Sequence, residues 1–143
     1  MTDAYIIDAC RTPRGIGKPG KGALSDIHPQ HLGATVLKAL AERNKINTAE
    51  VDDIIWGTSA QRGTQGGDLG RMAALNAGYD VRSSGVTLDR FCGSGITSAN
   101  IAAASVKAGL RIMRINFSHA TYEEAQLRRA RRAGASATAW LRE

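Results

Sequence analysis

The chain has 143 residues, 43% of them hydrophobic, and a formal net charge of +6, which fits one domain with a real core. No apolar run reaches the length of a membrane span, and the N-terminal "MTDAYIIDAC" lacks the basic region of a signal peptide. Two cysteines, Cys10 and Cys92, do not make a disulfide framework, so we expect a cytoplasmic protein without a membrane partner.

Apolar patterns predict alternating strands and helices along the first three quarters of the chain. "AYIIDAC" is typical of a short buried strand, and the loop "RTPRGIGKPGKGALSD", rich in Gly, Pro and Lys, follows it. A helix is predicted from Pro29, because "HLGATVLKALAERN" places its leucines and Val36 on one face.

The alternation continues to Gly109. "VDDIIWGTS" predicts a second strand, and "DLGRMAALNAG" predicts a second helix with Asp68 as N-cap and Gly78 as C-cap. "GVTLDRF" predicts a third strand, and "GSGITSANIAAASVKAG" a third helix, rich enough in small residues to be buried. The order β-α-β-α-β-α predicts an α/β fold with a parallel-rich sheet and right-handed crossovers.

The last part of the chain differs in charge. Residues 1–109 carry 12 Lys and Arg against 10 Asp and Glu, whereas residues 110–143 carry 7 against 3. "LRIMRINF" predicts a further strand and "TYEEAQLRRARRAG" a basic helix. Because no aromatic residues interleave with the arginines of "LRRARR", we expect a solvated helix face and no nucleic-acid partner.

Two motifs resemble ligand sites but lack the required context. "GIGKPG" (15–20) matches G-x-G-x-x-G, yet no helix is predicted directly after it, and Gly22 lacks the hydroxyl that a P-loop requires. His28 and His31, three residues apart, lack a third metal ligand. We expect "GIGKPG" to form a surface loop. The two histidines are expected to have capping or surface roles and to bind no metal. Cys10 is expected to be an inert core residue.

Cys92 lies in "DRFCGSGITSAN", where a strand is predicted to end at Phe91 and a helix to begin near Gly93. Unpaired N–H groups and the dipole at a helix N-terminus favour a thiolate, and the Cys92 N–H is placed to meet a developing oxyanion. Gly93 and Gly95 leave the backbone open to a substrate carbonyl. The pattern alone leaves two alternatives, a nucleophile or a buried structural thiol.

Residues 5–109 resemble the N-terminal part of a thiolase, an acyl-CoA C-acyltransferase. "DACRTPRG" is similar to the opening strand and turn of that family, and "DRFCGSG" is similar to its Asn-Arg-x-Cys-Gly-Ser-Gly motif. The resemblance implies that Cys92 accepts the acyl group of an acyl-CoA. Asp89 replaces the usual Asn; its carboxylate opposes a thiolate if it points inward and matters little if it faces the other side of the strand.

The same resemblance identifies what these 143 residues do not contain. Thiolases use the histidine of a Gly-His-Pro segment and a second cysteine in a Cys-x-Gly-x-Gly segment, and neither segment occurs here. "IHP" at 27–29 lacks the glycine and comes too early. We therefore expect a truncated, layered thiolase-like domain at 1–109, followed by a divergent basic tail at 110–143 that forms a strand plus a helix.

The tail is similar over a short stretch to another family. "LRIMRINFSHATYEEAQLR" resembles a segment of pyruvate kinase in which an Arg-x-Asn-x-Ser-His turn follows a barrel strand. In that family the residues matching Arg114, Asn116 and Ser118 contact substrate phosphate and potassium. Because the rest of the barrel is missing, nothing completes such a site. We interpret the region after Gly109 as a fusion or frame change.

The functional expectation is acyl transfer between CoA thioesters, which means thiolytic cleavage of a 3-ketoacyl-CoA or the reverse Claisen condensation. Coenzyme A thioesters are then substrates, no cofactor is implied, and a homodimer through the sheet is expected from the family. Without its catalytic partners, Cys92 is expected to acylate slowly and not to turn over. The alternative is a non-catalytic fragment that binds a partner or serves a structural role, pairing through an exposed sheet edge.

Overall fold

The computed structural model describes residues 3–110 and 113–116. Within them the helices α1 (Pro29–Arg43), α2 (Leu69–Asn76) and α3 (Ser94–Lys107) alternate with the strands β1 (Asp53–Thr58), β2 (Ser84–Asp89) and β3 (Met113–Asn116). The strands form one sheet in the order β2-β1-β3, and both pairings are parallel. The predicted α/β class with a parallel sheet is confirmed.

Helices cover both faces of this sheet. Consecutive residues of β1 point to opposite faces, so neighbouring residues of this strand contact different helices. Trp56 faces α1 and α2: a Cβ added at Gly70 would lie 2.4 Å from the Trp56 Cβ, and one added at Gly33 would lie 2.6 Å from its ring. Gly57 faces α3 on the other side, where an added Cβ would lie 2.7 Å from the Ser94 carbonyl carbon. The result is a three-layer arrangement with β1 at its centre.

The buried apolar cluster lies between β1 and the α1/α2 layer. The phenol of Tyr79, almost completely buried, donates a hydrogen bond of 3.1 Å to the Leu37 carbonyl and so satisfies its polar atom. The cluster consists of Leu37, Val51, Ile54, Trp56, Leu69, Ala73, Ala74 and Tyr79.

The predicted starts of α1 and α2 are confirmed, whereas the C-cap of α2 is Ala77, one residue before the predicted Gly78. α1 begins at Pro29 after His28, whose ring nitrogen accepts the Gln30 N–H. The Asp68 carboxylate accepts the Arg71 N–H at the start of α2, and Gly78, with φ +83, follows its last turn. α3 ends at Lys107, and Gly109 has φ +110. Glycine adopts these left-handed conformations at no steric cost.

The strand predicted in "AYIIDAC" is wrong. Residues 4–10 have no strand conformation, and among the described residues no strand pairs with them. The segment is held by α1 instead: the Asp8 carboxylate accepts hydrogen bonds from Arg43 at 3.0 Å and Asn44 at 2.7 Å. A strand is stabilised by its neighbours, so an apolar run without a paired neighbour does not become one.

The region after Gly109 is described only in part. β3 lies within the stretch "LRIMRINF", and its register pairs Met113 with Asp53 and Asn116 with Trp56. The predicted basic helix and Ser118 lie outside the described residues, and the roles predicted for Arg114 and Asn116 stay predictions. No helix in residues 3–110 is both long and apolar enough to cross a membrane.

Candidate functional site

Cys92 lies in a single tight turn between the sheet and α3. β2 ends at Asp89, two residues before the predicted end at Phe91, and a 3-10 turn (Phe91–Gly93) leads directly into α3. The Cys92 side chain is exposed. The buried-thiol alternative is therefore wrong, and the thiol stands where a solute can reach it.

The residue before the cysteine has a strained backbone. Phe91 adopts φ +48, a left-handed conformation that costs a non-glycine residue about 1–3 kcal/mol. Its ring does not repay that cost by packing, since the side chain is 75% exposed. The Asp89 carboxylate, exposed at the end of β2, accepts the Phe91 N–H at 3.0 Å and so supports the turn.

Ser94 joins this turn to the central strand. Its Oγ accepts the Arg90 N–H at 2.8 Å and lies 2.6 Å from the Thr58 carbonyl oxygen and 2.7 Å from the Phe91 carbonyl oxygen. A hydroxyl has one hydrogen, so the two carbonyls compete for it. Because Ser94 is only 2% exposed, water cannot replace these bonds. The serine therefore fixes both sides of the Cys92 turn to the end of β1.

Small residues let α3 lie close to the sheet. Its buried positions recur every four residues, and Ser98, fully buried, donates back to the Ser94 carbonyl at 3.0 Å. Opposite them, the missing side chain of Gly57 leaves room for the first turn of α3. The helix buries one face only, contrary to the prediction of a buried helix, since Ile96 and Ile101 are exposed. The buried positions are Ser94, Ser98, Ala102 and Val106.

Most backbone donors beside the cysteine are already paired, since the Gly93 N–H donates to the Arg90 carbonyl and the Ser94 N–H to the Phe91 carbonyl. Gly93, the N-cap residue, provides no side-chain hydrogen bond to the helix. Among the residues that the structure describes, the Cys92 N–H has no hydrogen-bond partner. Backbone N–H groups and a helix dipole at such a position stabilise negative charge on a thiolate or an oxyanion. The turn thus combines an accessible thiol with one backbone donor, the Cys92 N–H, for a charged intermediate.

Arg90 adds a positive charge at the same turn. Its guanidinium donates to the Thr97 hydroxyl at 2.9 Å, and its aliphatic part passes 3.6 Å from the position that a Cβ at Gly93 would occupy. The side chain is exposed, so it borders the open side of the turn.

The other residues singled out from the sequence have structural roles. His28 caps α1, as predicted. His31 is exposed, as its predicted surface role requires, and its Nδ1 lies 2.9 Å from the Asn76 amide nitrogen. Cys10 is half-buried, with its Sγ 3.6 Å from the Val36 carbonyl oxygen, and is not among the fully buried core residues where it was expected. Within residues 3–110 no three His, Cys, Asp or Glu side chains are grouped to hold a metal.

The loop "GIGKPG" does not lead into a helix. Residues 11–27 carry only turns and bends, and α1 starts at Pro29. The Lys18 carbonyl accepts the N–H groups of Lys21 and Gly22, which closes the loop on itself. The geometry agrees with the predicted surface loop.

Sequence reasoning found Cys92 but missed Ser94 and Gly57. In "CGSG" the serine resembles any small residue of a buried helix, and its partner Thr58 is 36 residues away. Gly57 lies inside an apolar strand, where a glycine marks a bulge or a close backbone approach. That signal was available in "IIWGT".

The chain is similar in sequence to known proteins over about three quarters of its length. The family model described as the N-terminal domain of thiolase matches residues 4–133. A steroid 3-ketoacyl-CoA thiolase of Mycobacterium tuberculosis is 44% identical over 109 residues, which are 76% of this chain and 26% of that protein. A beta-ketoadipyl-CoA thiolase of Acinetobacter baylyi is 43% identical over 110 residues, 76% of this chain and 27% of the relative. The chain spans about a quarter of the length of these relatives.

Proposed function

The chain belongs to the thiolase family of acyltransferases, and from this premise we propose that Cys92 is a nucleophile that accepts an acyl group from an acyl-CoA thioester. The observation that carries the proposal is the exposed thiol in a strained turn before an uncapped helix N-terminus. The buried Ser94 hydroxyl and the Asp89 carboxylate hold that turn in place, as a preorganised nucleophile requires.

The step balances without a further reactant. The Cys92 thiolate attacks the thioester carbonyl, the new carbon–sulfur bond forms, and the bond to the CoA sulfur breaks. Coenzyme A leaves as its thiolate and takes a proton from solvent, so the products are a thioester on Cys92 and free CoA. We expect the Cys92 N–H and the dipole at the start of α3 to stabilise the tetrahedral oxyanion in between.

Complete thiolysis and its reverse, Claisen condensation, require more than this step. The family resemblance implies a histidine in a Gly-His-Pro segment and a second cysteine, and these 143 residues contain neither segment. A missing general acid or base typically costs 10²–10⁴ in rate. We therefore expect acyl-Cys92 to accumulate and not to be passed on.

The substrate class follows from the relatives. These relatives are thiolases of 3-ketoacyl-CoA and beta-ketoadipyl-CoA, so we propose acyl-CoA and 3-ketoacyl-CoA thioesters as substrates of this chain. Fatty acid metabolism is the corresponding setting. A cytoplasmic location is proposed with it, because two cysteines do not make the disulfide framework of a secreted protein.

Acylation is tested by mass spectrometry. The folded chain is incubated with acetyl-CoA, and we expect a gain of one acetyl group on the peptide that contains Cys92. Cys92→Ser should abolish the modification, and Cys10→Ser should leave it unchanged. Absence of the modification from folded wild-type protein would refute the proposal.

A second copy of this chain is the partner that we propose. Among the strands that the structure describes, β2 lies at one end of the order. Its Ser84 N–H donates toward β1, so the backbone N–H and carbonyl of Thr87 point away from β1, to the outer edge of the described sheet. At that edge the Gln61 side chain donates to the Thr87 carbonyl at 2.9 Å. Val86 on β2 is 42% exposed. Such an edge is a template for another strand.

Sedimentation equilibrium separates this dimer from a monomer. We expect Val86→Lys to weaken self-association and Gln61→Ala to strengthen it, because the amide no longer covers the edge carbonyl. Val81→Lys is the matched control, since Val81 is also exposed but lies outside β2. If the chain dimerises in this way but never acylates, the non-catalytic binding module is the better description.

A further inference from the structure

We propose that Ser94 is a positioning residue for Cys92, holding the strained turn in the conformation from which the thiol reacts. The inference rests on the proposed function of Cys92 and adds a residue to it. It depends on the contacts of Ser94 with three backbone groups, on the burial of its hydroxyl and on the left-handed backbone at Phe91.

The first step of the argument is the strain. A left-handed Phe91 has no intrinsic reason to persist, because the residue is not glycine and its ring is exposed. Such a conformation persists when surrounding contacts over-determine it. On the upstream side the Asp89 carboxylate holds the Phe91 N–H. On the downstream side Ser94 Oγ accepts the Arg90 N–H and lies within hydrogen-bond distance of the Phe91 carbonyl oxygen.

The second step is the connection to the sheet. The Thr58 carbonyl oxygen lies 2.6 Å from Ser94 Oγ at the end of β1, and Thr58 is itself buried. The Ser94 hydroxyl thus links β1, the residue before the strained position and the first turn of α3 in one buried junction. Removing the hydroxyl leaves the buried Thr58 carbonyl and the partly buried Arg90 N–H without their Ser94 partner, and both are satisfied most easily if the turn relaxes.

The third step concerns Cys92. Ser94 holds backbone groups of Arg90 and Phe91, and Cys92 lies in the chain between these two residues and Ser94. Relaxation of Phe91 to negative φ rotates the following peptide and so re-aims both the Cys92 side chain and its N–H. Misplacement by about 1 Å is enough to reduce a reaction about 100-fold.

The experiment measures alkylation of Cys92 by iodoacetamide as a function of pH, in a Cys10→Ser background. We expect Ser94→Ala to lower the rate at neutral pH about tenfold and to change the shape of the pH profile. Ser94→Thr, which keeps the hydroxyl, should restore most of the rate. Circular dichroism and thermal unfolding confirm that each variant is folded.

Ser98→Ala is the matched control. Ser98 is equally buried, lies one helical turn later, and donates to the Ser94 carbonyl without touching the turn. It should lose stability and keep its alkylation rate within about twofold. The proposal is overturned if Ser94→Ala reacts like wild type, or if Ser98→Ala slows alkylation as much as Ser94→Ala does.

Alkylation needs no acyl-CoA, so the two proposals can fail separately. If wild type is not acylated by acetyl-CoA but Ser94→Ala still slows alkylation, the proposed function fails and the positioning role stands. If wild type and Ser94→Ala are acylated and alkylated at the same rates, the positioning role fails and the proposed function stands.

Discussion

Gly57→Ala tests the close contact between β1 and α3. An added Cβ would lie 2.7 Å from the Ser94 carbonyl carbon, 2.8 Å from its oxygen and 3.0 Å from the Gly95 nitrogen. Carbon atoms in ordinary contact are about 3.5–4.0 Å apart, so α3 and β1 must separate by about 1 Å. The neighbouring atoms belong to the backbone, so no side-chain rotation relieves the contact.

The separation has a calculable effect on the hydrogen bond beside it. The 2.6 Å distance between Ser94 Oγ and the Thr58 carbonyl oxygen would grow to about 3.6 Å, beyond a hydrogen bond. Overpacking costs about 1–3 kcal/mol, and the lost bond adds about 1 kcal/mol. We expect the free energy of unfolding to fall by about 2–4 kcal/mol and the alkylation of Cys92 to slow.

Urea unfolding followed by circular dichroism measures the first effect, and iodoacetamide labelling measures the second. Gly17→Ala is the control, because a Cβ at Gly17 meets nothing within 4 Å and its φ is not left-handed. It should change the free energy of unfolding by less than about 0.5 kcal/mol. If Gly57→Ala unfolds at the same urea concentration as wild type, the reasoning is refuted.

Three further predictions concern the turn and the loop before β2. Phe91→Asn should raise the free energy of unfolding by about 0.5–1 kcal/mol, because asparagine tolerates left-handed φ better; a loss measured by urea unfolding would contradict this. Arg71→Met should lower it by about 2 kcal/mol, because the guanidinium donates to two carbonyls of residues 81–83; an unchanged midpoint would exclude that role. Hydrogen bonds from Arg82 lower the pKa of Asp80 from 3.8 to about 2. The stabilisation that comes with this shift is therefore present above pH 3.8 and is lost as the pH falls through about 2. A carboxyl NMR titration should show this midpoint, and Arg82→Gln should return it toward 3.8.

Helices and the central strand could be predicted because their signals are local. The apolar face of α1, the N-cap Asp68 and the short apolar run of β1 each depend on residues within one element. The strand predicted at 4–10 failed because its formation depends on a neighbour in the sheet. An ion pair between Asp8 and Arg43 holds that segment instead, and no local pattern indicates it.

The candidate site also has one part that could be predicted from local sequence and one part that could not. Cys92 was found from a local motif, whereas its support depends on Thr58 and Gly57, which lie more than thirty residues earlier. The effect of Asp89 also required the structure, which shows its carboxylate bound to the Phe91 N–H. Residues that position a nucleophile by tertiary contact leave little trace in their own neighbourhood.

The bond between Ser94 and Thr58 also bears on how the chain folds. It closes a span of 36 residues, so we expect the Cys92 turn to reach its native form only after β1, α2 and β2 have assembled. Thiol labelling during refolding would then report the completion of this unit. The rate at which Cys92 becomes reactive during refolding would thus measure how fast the sheet beneath it assembles.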